Sequence, residues 1–298
     1  MRTIKLGNSN LEVSVFALGI MRMSALSTDQ AGKVLRTAID HGINFIDSAD
    51  IYGKGKSEEV FAAAMKKEGL KRDQFYIQSK AGIVPGLRYD FSKKYLIKAV
   101  DGILQRMNID YLDSFLLHRP DPLMDSKEVS ETFNQLYQSG KVRHFGVSNF
   151  DIGQFLLLQE DLDKRLLVNQ LQFSLTHSEM IDSVINFGHG ENFLAFAKRD
   201  NVTVQAWSPF QAKSGKGSFI DSPEYPKLNE KLRELSIKYQ VSKNAIAAAW
   251  ILRHPAQIQV MLGTMNLKHL KDSIDGVEVE LSRQEWYDLY LAAGNYLP

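Results

Sequence analysis

The chain has no cysteine among its 298 residues. Disulfides, thiolate nucleophiles and thiolate metal sites are excluded at once. An excess of charge of either sign is also missing. The 36 basic residues stand against 35 acidic ones, a net charge of +1. That balance gives no support for a nucleic-acid or anionic-membrane partner, which would usually need a basic stripe, and leaves room for one small anion site. Long apolar runs are absent too: the longest, 245–252, is far short of the about 20 residues that a membrane span needs. The opening MRTIKLGNSN has no apolar signal-peptide core, so a cytoplasmic protein is expected. The histidines fall in no HExxH or related spacing, and there is no Asp-rich calcium loop. No metal is therefore expected.

What is present is an alternation. Short β-rich runs lie at 15–19, 44–47, 75–79, 114–117, 144–147, 167–171, 203–206 and 259–262. Between them the apolar period is helical. Ala31, Val34, Leu35, Ala38 and Ile39 form one stripe, and Tyr95, Leu96, Ala99, Val100, Ile103, Leu104 and Met107 another. A third stripe runs through Val129, Phe133, Leu136 and Tyr137. Thr28, Ser57, Ser92, Ser126 and Asp151 are suitable helix starts, and Gly42, Gly69 and Gly140 suitable stops.

Eight strand–helix repeats without a composition break predict an α/β fold, a single (β/α)8 TIM barrel spanning 1–298 as one domain. A doubly wound open sheet would gather its ligand residues at one switch point. Here polar residues follow nearly every strand, as the catalytic face of a barrel requires. Residues 1–12 read as a β-hairpin turning at 7–10 and plugging the barrel bottom. Residues 211–226, rich in Gly, Ser, Lys and Pro, read as a mobile loop followed by a helix at 227–239. A C-terminal helix with Trp286, Leu289 and Tyr290 on one face precedes a tail.

The segment FIDSADIYG places Asp47 and Tyr52 just after a strand, while Lys80 and His118 end two later ones. These side chains form a proton-transfer set for carbonyl reduction. Tyrosine donates a proton to oxygen, but its ordinary pKa of about 10 is high for delivery near neutrality. A neighbouring ammonium, Lys80, is expected to pull that value down. Asp47 supplies the counter-charge that a buried lysine needs, and His118 polarises the carbonyl. Singly, each has a plain structural explanation: a turn aspartate, a solvated lysine, a packed tyrosine, a loop histidine. Together they occupy the same end of successive strands.

The set resembles the aldo-keto reductase family, and the runs LLHRPDPL and GKVRHFGVSNF carry the resemblance further. It spans nearly the whole chain, from the GIMR segment at 19–22 to LGT at 262–264. It implies a reductase of aldehydes or ketones using NADPH, with Tyr52, Lys80, Asp47 and His118 catalytic. It also implies that Met21, Arg22 and Asp47 meet the cofactor, that Ser148, Asn149 and Gln170 hold the nicotinamide carboxamide, and that Trp207 stacks on the ring. Ser208, Pro209 and Phe210 would begin the pyrophosphate loop, with Lys213 and Lys216 as phosphate contacts. Gly263, Thr264, His269 and Asp272 would face the adenosine ribose. Met265 and His269 stand where the family frequently has Arg or Lys, so NADPH is expected to win over NADH by a reduced margin.

The Gly-x-Gly of GKGKSEE (53–59) lacks the third glycine of a dinucleotide fingerprint. For the substrate, a small carbonyl compound, the loops 83–90, 119–125 and 177–191 frame the mouth, and Tyr89, Phe173 and Tyr296 are expected to line an apolar pocket. Arg119 reads first as a salt-bridge partner and second as an anion contact. Two other functions compete: a cofactor-binding regulatory or scaffold protein with little turnover, and a metal-free barrel lyase or isomerase using Lys80 as a Schiff base. No feature of the sequence assigns an oligomeric state.

Overall fold

The computed structural model describes residues 1–181 and 192–297. A short antiparallel hairpin, β1 (Thr3–Lys5) and β2 (Glu12–Ser14), comes first. Barrel strands follow as β3 (Phe16–Gly19), β4 (Phe45–Asp47) and β5 (Tyr76–Ala81). A two-stranded excursion, β6 (Ile83–Val84) and β7 (Arg88–Tyr89), then precedes β8 (Leu112–Leu117) and β9 (Val142–Ser148). The remaining strands are β10 (Leu166–Gln172), β11 (Thr203–Trp207) and β12 (Ile258–Leu262). The eight long-range strands close into one parallel barrel in chain order, with β12 pairing back onto β3. All eight expected strands form. Among the described residues, no helix is long and apolar enough to cross a membrane.

Alternation of side chains across each strand sorts the interior from the outer layer. In β4, Ile46 joins the large core between barrel and helices, while Phe45 turns inward with Ala17, Leu116, Leu167 and Met261. The hairpin completes this inner cluster with Leu6 and Val13. The backbone N–H of Gly7 donates to Thr203 Oγ1 at the start of β11 (2.8 Å). The hairpin therefore closes the N-terminal end of the barrel, and its second strand runs two residues past the expected limit.

Above that apolar plug, the interior is amide-rich. Gln259 Nε2 donates to Ser14 O (2.7 Å), and Gln205 Nε2 to Gln259 Oε1 (2.8 Å). Gln78 Nε2 and Gln170 Nε2 both donate to Gln205 Oε1 and to Asp47 Oδ1. All four glutamines are buried. Each unpaired amide in such a place would cost on the order of 1–3 kcal/mol, so the connected ladder is what makes a polar interior tolerable.

Helix boundaries follow caps more closely than the sequence suggested. Ser27, not Thr28, caps the helix Thr28–Asp40, in a capping box with Gln30. Asp125, not Ser126, caps Ser126–Gln138, and Gly55 precedes Lys56–Lys67. Ser92 and Asp151 cap as expected. The 211–226 stretch folds back on itself: Ala212 N–H donates to Gly217 O, Phe219 N–H to Phe210 O, and Phe219 is fully buried. The C-terminal helix is Arg283–Ala292, with Trp286 stacked on Trp250.

Candidate active site

Parallel strands in a closed barrel deliver their last residues to one rim, and that rim holds a cavity of about 980 Å³. Asp47 ends β4, Ser148 ends β9 and Trp207 ends β11, while His118 directly follows β8. Asp47, Tyr52, His118, Ser148, Asn149, Gln170 and Trp207 all line the cavity. Lys80 lies beneath them with no exposed surface. Its Nζ meets both Asp47 carboxylate oxygens (2.6 and 2.7 Å) and Ser48 O (2.8 Å). Burial works against the ammonium, but the Asp47 charge, Tyr52 and the hydrogen bonds outweigh it, and the Lys80 pKa lies above its ordinary value. Complete burial under an ion pair also removes Lys80 from reach of a substrate carbonyl, so the Schiff-base alternative has no geometric support.

Tyr52 is presented by a tight turn. Tyr52 N–H donates to Ala49 O, and the chain then passes through positive φ at Gly53 (57°), Lys54 (56°) and Gly55 (88°). A Cβ on Gly53 would sit 2.6 Å from Ser24 Cβ, and one on Gly55 2.7 Å from Arg106 Cδ. The Gly-x-Gly of this segment is thus a device for turning the chain behind the tyrosine. The Lys80 ammonium lies 5.3 Å from the Tyr52 ring centroid, and the His118 ring packs edge-on at 6.0 Å. The expected lowering of the phenol pKa is not the net result. Burial outweighs the pull of Lys80 and leaves Tyr52 above 10.0, hence protonated at neutral pH. Burial, with Lys80 and Arg119 nearby, pushes His118 down to about 2. Its imidazole is neutral across the working range, and Nδ1 is buried without a partner.

A polar bridge joins the next side chains. Asn149, at φ 64°, donates from Nδ2 to Ser148 Oγ (2.7 Å) and accepts from Trp207 Nε1 (3.1 Å). Ser148 Oγ donates to Gln170 O. Neither Ser148 nor Asn149 caps the following helix. Met21, Arg22, Ser208, Pro209, Phe210, Gly263, Thr264 and His269 also line the cavity, and Arg22 Nη1 donates to Gly263 O (3.0 Å).

Lys213 and Asp272, expected here, are elsewhere. Lys213 points towards Glu179 (3.7 Å), and Asp272 accepts from Lys268 on the helix Leu267–Ile274. Gly215, Gly217 and Ser218 stand in the wall in place of Lys213 and Lys216. The N-terminus of Leu267–Ile274 is already capped, since Asn266 Oδ1 accepts from the N–H groups of Lys268 and His269. Phe173 is a core residue against Trp250 (5.3 Å), and Tyr89 and Tyr296 are exposed and not among the residues lining the cavity. Of the loop 177–191, residues 182–191 lie outside the described residues. Asn266, a candidate ribose contact by resemblance alongside Thr264 and His269, lines the cavity; Ile51, Ile83 and Asn244 line it without having been singled out, and nothing in their residue type marks them in the sequence.

Behind the Tyr52 turn lie two further acids, the buried Glu58 and the half-buried Asp50. Glu58 is fully buried, accepts from Arg106 Nε (2.6 Å) and faces Ser79 Oγ (3.4 Å). Asp50 Oδ2 accepts from Tyr95 OH (3.3 Å), while Oδ1 is buried without a partner. Burial raises Glu58 to about 7 against the pull of Arg106, and raises Asp50 to about 6. Both hold their protons more tightly folded than unfolded. The stability these two groups contribute is therefore full below about pH 4, the unfolded value, and is lost as pH climbs through the folded values. A melting temperature that falls between roughly pH 5 and 8, with Glu58→Gln flattening most of that slope, is the expected result. A wild-type Tm that stays constant over this range would rule the linkage out.

The same chain matches the family profile described as "Aldo/keto reductase family" across residues 16–290. It belongs to the aldo/keto reductase family. Among similar curated proteins is the 6-dehydroglucose reductase of Agrobacterium fabrum, 34% identical with 96% of each chain covered. Another is the 6-dehydroglucose reductase of Novosphingobium aromaticivorans, 32% identical, covering 99% of this chain and 96% of the relative. Among solved structures, an aldo-keto reductase from Klebsiella pneumoniae in complex with NADPH superposes with a TM-score of 0.80. It is 25% identical, with 97% of this chain and 93% of that one covered.

Proposed function

We propose that this aldo/keto reductase reduces aldehydes or ketones to alcohols with NADPH, and that Tyr52 is the proton donor. The observation that carries this reading is the convergence of a buried Lys80–Asp47 pair (2.6 Å), Tyr52 and His118 at one opening. The residues present fit the cofactor. Ser148, Asn149 and Gln170 offer amide and hydroxyl partners for a carboxamide beside the Trp207 indole, and Gly215, Gly217 and Gly263 keep a long cavity wall free of side chains. Bound NADPH would supply the hydride for the carbonyl carbon, being oxidised to NADP+. The carbonyl π pair moves to oxygen, and Tyr52 gives its phenolic proton to that oxygen. The positive Lys80 stabilises the phenolate left behind, and the neutral imidazole of His118 orients the carbonyl. Tyr52 must be reprotonated from solvent before the next turnover.

Support for NADPH comes from the similar Klebsiella pneumoniae enzyme, whose structure holds it. Arg22 and His269 in the cavity wall are the groups that would favour an added phosphate. Fluorescence titration is expected to give a lower Kd for NADPH than for NADH, and His269→Ala to narrow the gap. Tighter NADH binding by the wild-type protein would reverse the cofactor assignment. The names of the two similar curated proteins put a sugar aldehyde on the first substrate panel. NADPH consumption with a panel of aldehydes, ketones and dicarbonyls tests the activity. If no carbonyl compound accelerates NADPH oxidation, the reductase reading is lost.

A further inference from the structure

The rim of the cavity has an unbalanced charge. Two acidic residues line it among the described residues, Asp47 and Asp221. Asp47 is engaged by Lys80, Gln78 and Gln170, and Asp221 by Lys243. Arg119, next to His118, also lines the cavity. The sequence suggested a salt bridge for it, and the nearest acid in the chain, Asp121, is the obvious partner. That carboxylate is turned away: its oxygens accept from the backbone N–H groups of Phe91 (3.3 Å) and Leu123 (2.9 Å). Among the described residues Arg119 makes no ion pair and no hydrogen bond. Its guanidinium lies 5.5 Å from the Trp207 ring centroid. The other arginine in the cavity wall, Arg22, donates to Gly263 O (3.0 Å) on the opposite side of the opening from the strand that leads into His118.

We infer that Arg119 is a specificity-determining residue that selects carbonyl substrates bearing a carboxylate close to the reacting carbon. This rests on the reductase reading and extends it to a substrate class. A guanidinium offers a rigid fork of N–H donors that matches a carboxylate with two parallel bonds. Its position one residue after His118 puts that fork beside the place where the carbonyl oxygen would be oriented. Two independent features hold it there. The indole of Trp207 fixes one side through a cation–π contact, and Pro120 stiffens the chain immediately after it. The same positive charge bears on the reacting groups, since Arg119 contributes to the low pKa of His118 and counters the burial of Tyr52. A carboxylate seated on Arg119 would thus be matched to a site whose own acids are already paired.

The test uses matched substrates on the full chain with NADPH: 2-carboxybenzaldehyde against benzaldehyde, and succinic semialdehyde against butanal. Glyceraldehyde serves as a neutral polyhydroxy aldehyde. In the wild type, kcat/KM is expected to favour the charged member of each pair by about tenfold or more, the value of one charge-assisted contact. Arg119→Met is expected to bring the ratio close to one, mainly through KM, and Arg119→Lys to restore part of it. A wild-type ratio near or below one, a preference for glyceraldehyde, or an unchanged ratio in Arg119→Met overturns the inference while leaving the reductase reading intact. Should no aldehyde be turned over, the reductase reading falls by itself, and oxalate titrated into the NADPH-loaded protein decides this one. Binding that Arg119→Met abolishes supports the anion site; no binding, or equal binding by both proteins, overturns it.

Discussion

Tyr52→Phe is expected to lower kcat for carbonyl reduction by about 10²- to 10⁴-fold, or roughly 3–5 kcal/mol of barrier, with the NADPH Kd changed by no more than about twofold. The substitution removes one oxygen and keeps the ring that packs on His118 and faces the Lys80 ammonium. The loss should therefore appear in the chemical step, not in binding. The pH profile gives an independent check. A donor must be protonated, and burial holds the Tyr52 pKa above 10.0. Its ionisation then contributes no fall in reduction rate between roughly pH 6 and 9, and His118, down at about 2, contributes none either. Equal turnover by wild type and Tyr52→Phe removes Tyr52 from the mechanism.

Lys80→Met is expected to be the most damaging single change to stability, costing about 3–5 kcal/mol. The side chain is fully buried and Asp47 nearly so, and the two meet at 2.6 Å. Removing the ammonium strands a carboxylate whose remaining donors are the Gln78 and Gln170 amides (2.8 and 3.0 Å). Those amides keep the loss finite. The double variant Lys80→Met/Asp47→Leu should recover most of it, because desolvation of both charges disappears along with their attraction. Urea midpoints of the wild type and the two variants measure this directly. The pH sign is also fixed: with its pKa raised, Lys80 contributes fully below its ordinary value of about 10.4, and that contribution is lost only at more alkaline pH. A single variant as stable as the wild type would mean that the pair contributes nothing to folding.

The barrel strands were legible because each is a short β-rich run bounded by a polar end, and the same punctuation exposed Asp47, Tyr52, Lys80 and His118. Direction and partner choice were not legible. Phe173 looked available to a ligand but follows a strand on its outer side, against Trp250. Lys213 sits in the expected loop, yet its turn carries it towards Glu179 and leaves glycines facing inward. That Arg119 has no ion-pair partner among the described residues depends on Asp121 satisfying two backbone N–H groups instead of its neighbour, which is decided by the fold of 88–92 against 121–124. The net pKa of Tyr52 is a difference between burial and an ammonium's field, and only coordinates fix both.

The glutamine ladder from Ser14 O up to Asp47 has a consequence for proton traffic. Primary amides donate and accept hydrogen bonds but do not ionise near neutrality. The floor under the reaction site is therefore polar yet inert to acid and base, and with the apolar plug below it, it works as an insulator. On the proposed mechanism Tyr52 would regain its proton from the side of the open rim and not through this floor.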